Sequence, residues 1–198
     1  MAAGRGTVYA GTIGTLLAVV WEKFGMIVPR IYLAGHLAIE MGDVLLDERS
    51  FPGRQGRLAF AYLTATHGQA VPRDVLAEVL WPAALPRSWE ASLSAVISNL
   101  RMFLGKAGLS RAEVIIQVFG CYQLCLPPGS WVDIEAASEG LDKAEGAIKH
   151  GDLMTAYGWA GAAASIARRP SLPGEEGPWI ETRRSELHHI LLRRVSIA

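Results

Sequence analysis

The sequence predicts an α+β fold in which a mixed region of strands and helices precedes a region of helices only. Three observations predict this order. Short apolar runs broken by glycine begin at Arg30, and apolar residues at helical spacing follow over residues 54–106. Apolar residues then alternate on both sides of Gly120, and three further helical patterns fill residues 134–195. A chain of 198 residues, 51% of them hydrophobic, has room for one large domain or two small ones.

The N-terminal 29 residues contain one apolar run, TVYAGTIGTLLAVVW at residues 7–21. This run is shorter than the roughly 20 residues that a membrane-spanning helix needs. It is also not followed by the small-residue cleavage site that a secretory signal carries. We therefore expect residues 1–29 to be a poorly ordered extension of a cytoplasmic protein that has no membrane partner.

A small antiparallel sheet is predicted over residues 30–46. The apolar runs RIYLAG, HLAIEMG and DVLLDE are broken at Gly35, Gly42 and Asp43. Runs of this length with turn residues between them are typical of short, sequentially paired strands.

Two helices are predicted after the sheet. The segment RQGRLAFAYLTATHG at 54–68 ends at Gly68, a residue typical of a helix C-terminus. The segment VPRDVLAEVLWP at 71–82 has one proline suited to a helix start and another that ends the helix. The apolar positions predicted to share a face are Leu58, Tyr62 and Ala65 in the first helix and Val75, Leu76, Val79 and Leu80 in the second.

The segment SWEASLSAVISNLRMFLGK at 88–106 predicts a third helix with two unlike faces. A stripe with the helical period of about 100° per residue should face the core, and it consists of Leu93, Val96, Ile97, Leu100 and Leu104. The opposite arc consists of Ala91, Ser94, Ala95, Ser98, Asn99 and Met102, with Arg101 at its edge and Lys106 near its end. Such an arc is either a contact surface or a solvated helix face.

A two-stranded hairpin is predicted in EVIIQVFGCYQLCLPPG at 113–129, where apolar residues alternate around Gly120. The prolines and glycine that close this segment are typical of a loop. We place the domain boundary there, between one domain at 30–128 and a second at 129–198.

The second domain is predicted to be all-α. Its helical patterns cover about 134–150, 153–167 and 179–195, and the first two, separated by HGD, have the size of one tetratricopeptide-like repeat. Trp131 and Trp179 are expected to pack where the second domain meets the first.

Composition and motifs argue against an enzyme. No P-loop, G-x-S-x-G or G-x-G-x-x-G motif occurs. Glu175 and Glu176 have no base at a defined spacing, which favours a loop or helix-start role, and the adjacent His188 and His189 would point about 100° apart on a helix. We therefore predict no catalytic residues, no metal site and no cofactor.

Strands, three helices and a hairpin, in this order, make a winged helix-turn-helix with an N-terminal antiparallel sheet. GRQGRLAFAYL, VPRDVLAEVLW and VISNLRMFLG resemble the three helices of the response-regulator output type, and GCYQL resembles its wing strand. The region from WVDIEAASEGL through the GD at 151–152 to LPGEEGPWIETRRSEL is similar to the bacterial transcriptional activator domain. Together, residues 30–195 resemble the actinobacterial antibiotic-regulatory-protein (SARP-type) transcription activators.

The resemblance implies a sequence-specific transcriptional regulator, in this family an activator, that reads the major groove of double-stranded DNA with the helix at 89–105. The implied partners are duplex DNA with repeated half-sites, RNA polymerase or other transcription machinery, and a second copy of the chain in a homodimer. The family's activator domain continues through further helices, so we expect the tetratricopeptide-like domain here to be incomplete.

The candidate DNA contacts lie on the third helix, at its two ends and on the wing. Asparagine can pair with adenine and serine with either partner of a base pair, whereas arginine and lysine neutralise phosphates. Glutamine stands where the family's wing strand has arginine. The predicted contacts are Arg87, Ser94, Ser98, Asn99, Arg101, Lys106 and Gln123. Arg54 and Arg57, at the start of the first helix, are further candidates for the DNA backbone.

A second hypothesis is a protein-interaction adaptor whose winged helix has lost its basic face. The whole chain has 19 basic and 19 acidic residues, and residues 30–128 have nine basic and eight acidic ones. This balance is low for a domain that gains affinity from phosphate contacts. A salt-dependent affinity for DNA separates the two hypotheses.

Overall fold

The computed structural model describes residues 27–195, with side chains as far as residue 193. The extension predicted at residues 1–29 therefore lies almost wholly outside the described residues. In the described part of the chain, seven short strands form two sheets that pack with six α-helices.

The strands are β1 (Arg30–Tyr32), β2 (Ala38–Met41), β3 (Val44–Leu46), β4 (Val71–Pro72), β5 (Ile115–Val118), β6 (Cys121–Leu124) and β7 (Trp131–Val132). The helices are α1 (Gly53–Ala65), α2 (Arg73–Leu80), α3 (Trp89–Lys106), α4 (Asp133–Lys149), α5 (Leu153–Ala167) and α6 (Pro178–Val195). The predicted α+β order of sheet, three helices, hairpin and helical region is confirmed.

The first sheet has the strand order β3-β2-β1-β7. Its antiparallel β1–β2 and β2–β3 pairs match the prediction for residues 30–46. β7 follows the hairpin in sequence and pairs in parallel with β1, with Arg30 opposite Trp131. The segment just beyond the predicted boundary at residue 129 is therefore part of the N-terminal sheet.

The three helices of the first region enclose its core. On α3, Leu93, Leu100 and Leu104 are fully buried and Ile97 nearly so, which confirms the predicted core stripe. Phe103 is also buried, and its ring lies 4.2 Å from that of Phe51 between ring centroids.

Two residues of the predicted apolar faces are not fully buried. Val75 on α2 is exposed, because Leu76, Ala77 and Leu80 form the buried side of this short helix. Tyr62 on α1 is half-buried and packs against the edge of the core, with its ring 5.1 Å from that of Trp179 between ring centroids.

The wing is the second sheet, with the order β4-β6-β5. β5 and β6 are the predicted hairpin, with Val118 paired to Cys121 across the turn. The two-residue β4 pairs with β6 and leads directly into α2. The wing is thereby attached to the start of the second helix.

The helical region begins with an antiparallel pair formed by α4 and α5. The two helices approach closely at Gly140, where an added Cβ would lie 3.4 Å from the Cβ of Ala163. Asp152 caps α5 by accepting the N–H of Thr155 at 3.1 Å. None of the described helices combines the length and the hydropathy needed to cross a membrane.

A buried carboxylate joins the helical region to the N-terminal sheet. Asp133, the first residue of α4, is 1% exposed. Its oxygens accept the N–H groups of Leu33 and Ala34, each at 2.9 Å, and of Ile134 at 2.8 Å. Burial raises the pKa of the Asp133 carboxyl, and the amide hydrogen bonds oppose that shift by stabilising the charged form.

A second buried carboxylate of the helical region also accepts from the first region. Glu175, in the loop before α6, is 7% exposed and accepts from Arg54 Nε at 2.6 Å and Arg57 Nη2 at 3.2 Å. Both arginines therefore have a partner within the protein, although the sequence made them candidates for the DNA backbone. Leu172 and Ile180 also enter the core of the first region, while the helical region packs a second hydrophobic cluster of its own.

We expect Asp133→Ala to lower the free energy of unfolding by about 3–5 kcal/mol, because it leaves three N–H groups of the junction without their acceptor. The matched control is Asp142→Ala on the same helix. Asp142 forms an exposed ion pair with Arg193, so its loss should cost about 1 kcal/mol or less. Urea denaturation of both variants checks the prediction, and equal losses would contradict it.

Candidate nucleic-acid interface

The face of α3 opposite the core is exposed and free of acidic residues. Ser94, Ala95, Ser98 and Asn99 are all exposed, and Met102 is 48% exposed. From residue 91 to the end of the helix no aspartate or glutamate occurs. Glu90 in the first turn is the one exposed carboxylate of this helix, so an anionic backbone could approach the face beyond that turn without meeting another carboxylate of α3.

The polar groups on this face differ in how far they are already engaged. The hydroxyl of Ser94 donates to the carbonyl oxygen of Glu90 at 2.8 Å, so its remaining capacity is to accept. The side chains of Ser98 and Asn99 form no hydrogen bond with any other described residue. The Asn99 amide in particular keeps both its donor and its acceptor for a partner.

Arg101 lies at the edge of this face and holds the wing. Its Nε and Nη2 both donate to the carbonyl oxygen of Ile115 on β5, at 2.9 and 2.7 Å, and the side chain is half-buried. The guanidinium predicted to neutralise a phosphate thus ties α3 to the first wing strand. A phosphate contact by the same residue stays a prediction.

Gln123 on β6 also holds the wing to the rest of the domain. Its Nε2 donates to the carbonyl oxygen of Gly68 at 2.8 Å, and the Gly68 N–H donates to the carbonyl oxygen of Leu124 at 3.0 Å. These two bonds fasten the wing to the chain just after α1. The structure therefore gives the Gln123 amide a partner within the protein.

Three exposed basic residues flank the outward face. Arg87 precedes α3, Lys106 ends it, and neither forms an ion pair within residues 27–195. The exposed Arg111 lies over the end of α3, where a Cβ at Gly105 would lie 2.5 Å from its Nε. Arg111 is not among the contacts predicted from the sequence, although a glycine in the last turn of a helix is a signal that another group approaches closely there.

Arg73 is a second residue at this surface that was not predicted from the sequence. Its backbone N–H donates to the carbonyl oxygen of Gly120 at 3.3 Å, and its Nη2 donates to the carbonyl oxygen of Glu90 at 3.3 Å. Its guanidinium carbon also lies 6.0 Å from the ring centroid of Trp89. Arginine as the first residue of a helix opposes the helix dipole, which is a local signal that the side chain has another role.

Taken together, these contacts place the outward face of α3 and the wing in one rigid unit. Arg101 on α3 holds the first wing strand, β5. Arg73 connects the wing turn to the first turn of α3. Among the described residues, no group of three or more histidines, cysteines or acidic residues could hold a metal ion. The arrangement can present a helix and a hairpin side by side to an extended surface.

Comparison with solved structures identifies the fold. Over 84% of its length the chain superposes on Mycobacterium tuberculosis EmbR, solved in complex with a low affinity phosphopeptide, with a TM-score of 0.74 and 24% sequence identity. EmbR is a SARP-type regulator with a winged helix and a bacterial transcriptional activator domain, so the predicted resemblance is confirmed at the level of the fold. The match covers 44% of the EmbR chain. No family model and no curated protein sequence matches this chain.

We expect Arg101→Ala to lower the free energy of unfolding by about 2 kcal/mol, because hydrogen bonds from a charged group contribute about 1.5–3 kcal/mol. Amide hydrogen exchange in β5 should also become faster, since that strand loses its attachment to α3. Lys106→Ala is the control on the same helix and should change stability by about 0.5 kcal/mol or less. Unaltered stability and exchange in Arg101→Ala would show that these bonds do not hold the wing.

Proposed function

We propose that this protein is a transcriptional regulator that binds double-stranded DNA and reads the major groove with α3. The observation that carries the proposal is the exposed, acid-free face of α3, whose opposite side is buried in the core of a winged helix. A helix of this kind fits the major groove and presents its outward side chains to the base edges.

Each outward side chain has a chemically suitable role in this mode. The Asn99 amide can form two hydrogen bonds with adenine, through its donor and its acceptor, and Ser98 can donate or accept. Ser94 can accept from a base because its own proton is engaged with Glu90. The methyl of Ala95 and the side chain of Met102 suit contact with a thymine methyl group.

Phosphate contacts would come from the ends of α3. Arg87 lies before the helix, and Lys106 and Arg111 lie together at its C-terminal end. Cations at both ends of a groove-bound helix fix its register without reading sequence. Because few cations are free, two copies of the chain on repeated half-sites would gain affinity by doubling the contacts.

The helical region would then serve a second partner. Leu153, Met154 and Tyr157 at the start of α5 are 68%, 84% and 63% exposed, so this end of the region offers apolar side chains. We propose that the region contacts the transcription machinery or a second copy of the chain, and that the regulator is an activator.

The adaptor hypothesis keeps one specific observation in its favour. Arg54, Arg57 and Arg101 are all engaged with partners within the protein, which leaves three of the nine basic side chains of residues 30–128 less available to a phosphate. A winged helix with so few free cations could bind another protein through the same surface.

Fluorescence anisotropy of the chain with random duplex DNA, and then with a selected duplex pool, tests the proposal across a series of salt concentrations. Affinity that falls linearly in log salt, with enrichment of one repeated site, supports the regulator. A folded sample that binds no duplex even at low salt would refute it and favour the adaptor.

Two substitutions should separate base reading from phosphate binding. Asn99→Ala should weaken binding to the selected site by about 1–3 kcal/mol and leave both random-duplex binding and the salt slope unchanged. Arg87→Ala should weaken binding to every duplex and reduce the salt slope by about 1. If Asn99→Ala weakens random and selected duplexes equally, α3 does not read bases through this residue.

A further inference from the structure

The turn of the wing carries an aromatic side chain that touches nothing else in the described chain. Phe119 is 101% exposed, and its neighbour Val118 is 42% exposed. Burying a phenylalanine side chain is among the larger favourable contributions available to a residue. Phe119 therefore gains no stabilisation from burial of its side chain within the described chain.

The backbone of Phe119 is unfavourable as well. Phe119 and Gly120 are the two turn residues between β5 and β6, with φ of 48° and 76°. A two-residue turn in which both residues have positive φ favours asparagine, aspartate or glycine at its first position. Phenylalanine there has its Cβ close to the backbone. Sequence and structure therefore disagree at this position in two independent ways, which is typical of a residue kept for a contact.

The wing turn lies beside the proposed reading helix. The carbonyl oxygen of Gly120 accepts the N–H of Arg73, whose guanidinium reaches the carbonyl oxygen of Glu90 in the first turn of α3. The same Nη2 lies 3.5 Å from the hydroxyl oxygen of Ser94. One residue thus spans from the wing turn to the exposed face of α3, and Phe119 projects from this joined surface.

We propose that Phe119 is an apolar wedge that enters the minor groove of the bound duplex and partly unstacks one base step. This inference rests on the proposed function, since it requires α3 to occupy the adjacent major groove. Phenylalanine is among the side chains that insert between base steps, and the insertion kinks the duplex. Gly120 adds no side chain beside the wedge, and Val118 can contact the sugar next to it. The preferred ligand is a duplex with an easily unstacked pyrimidine–purine step at a fixed distance from the site read by α3.

Phe119→Asn tests the wedge without weakening the hairpin. Asparagine suits positive φ, so the melting temperature should stay the same or rise. Affinity for the selected duplex should fall roughly tenfold, since an inserted aromatic contact is lost. The salt slope should not change, because no charge is removed. Phe119→Leu keeps an apolar wedge and should retain most of the affinity.

Unstacking is measured directly by placing 2-aminopurine at successive steps of the selected duplex. The parent chain and Phe119→Leu should raise its fluorescence at one step, and Phe119→Asn should not. Energy transfer between dyes on the duplex ends should report a kink of roughly 20–90° for the parent and for Phe119→Leu, but not for Phe119→Asn.

The outcomes distinguish the two proposals. One outcome is that the parent binds DNA with a salt-dependent affinity, Phe119→Asn binds equally tightly, and neither protein changes the 2-aminopurine fluorescence at any base step. That outcome refutes the wedge and leaves the proposed function standing. If Phe119→Asn keeps full DNA affinity but loses binding to RNA polymerase, the wedge is also refuted and Phe119 belongs to a protein contact. If the folded parent binds no duplex, both proposals fall together.

Discussion

The buried carboxylate of Asp133 is the interaction on which the relation between the two halves of the chain depends. A carboxylate removed from water is costly unless hydrogen bonds replace its solvation. Here the N–H groups of Leu33 and Ala34, at the end of β1, and of Ile134, in the first turn of α4, replace it. Desolvation raises the carboxyl pKa, and the three donors oppose that shift by stabilising the charged form. Because they come from both halves of the chain, the carboxylate fixes the direction in which the helical region leaves the sheet.

Several arginines of the first region are likewise paired with acceptors inside the protein. Arg54 and Arg57 meet Glu175, Arg101 meets the Ile115 carbonyl, and Arg184 of α6 donates to three carbonyls of the loop around Glu175. Arginine suits such sites because its planar donors are oriented in advance and it stays charged when partly buried. The cations that remain outside are few, so recognition in the proposed mode depends on base contacts and shape more than on charge.

Local patterns in the sequence predicted what is locally determined. The helix predicted at 153–167 has those bounds, and the one predicted at 134–150 begins and ends one residue earlier, because apolar spacing and flanking glycine and proline set helix ends. β7 was not predicted, since a two-residue strand has no periodicity and exists only through its pairing with β1. The partners of Arg54 and Arg57 were missed for a related reason: Glu175 lies 121 and 118 residues away in the sequence, and no local pattern encodes such a contact.

A surface with little free charge has a consequence for specificity. Non-specific binding to DNA is almost entirely electrostatic, so it weakens for every sequence when cations are engaged inside the protein. Contacts made by Asn99 and Phe119 are favourable only where the base edge or the base step is suitable, and the internal pairing of the arginines leaves them intact. In the proposed mode of binding, the loss of cations therefore lowers the affinity for random duplexes and for the correct site by about the same factor, and the ratio between the two affinities is set by the base contacts. The near-neutral charge of residues 30–128, which at first argues against DNA, is compatible with a regulator that relies on the ratio between the two affinities.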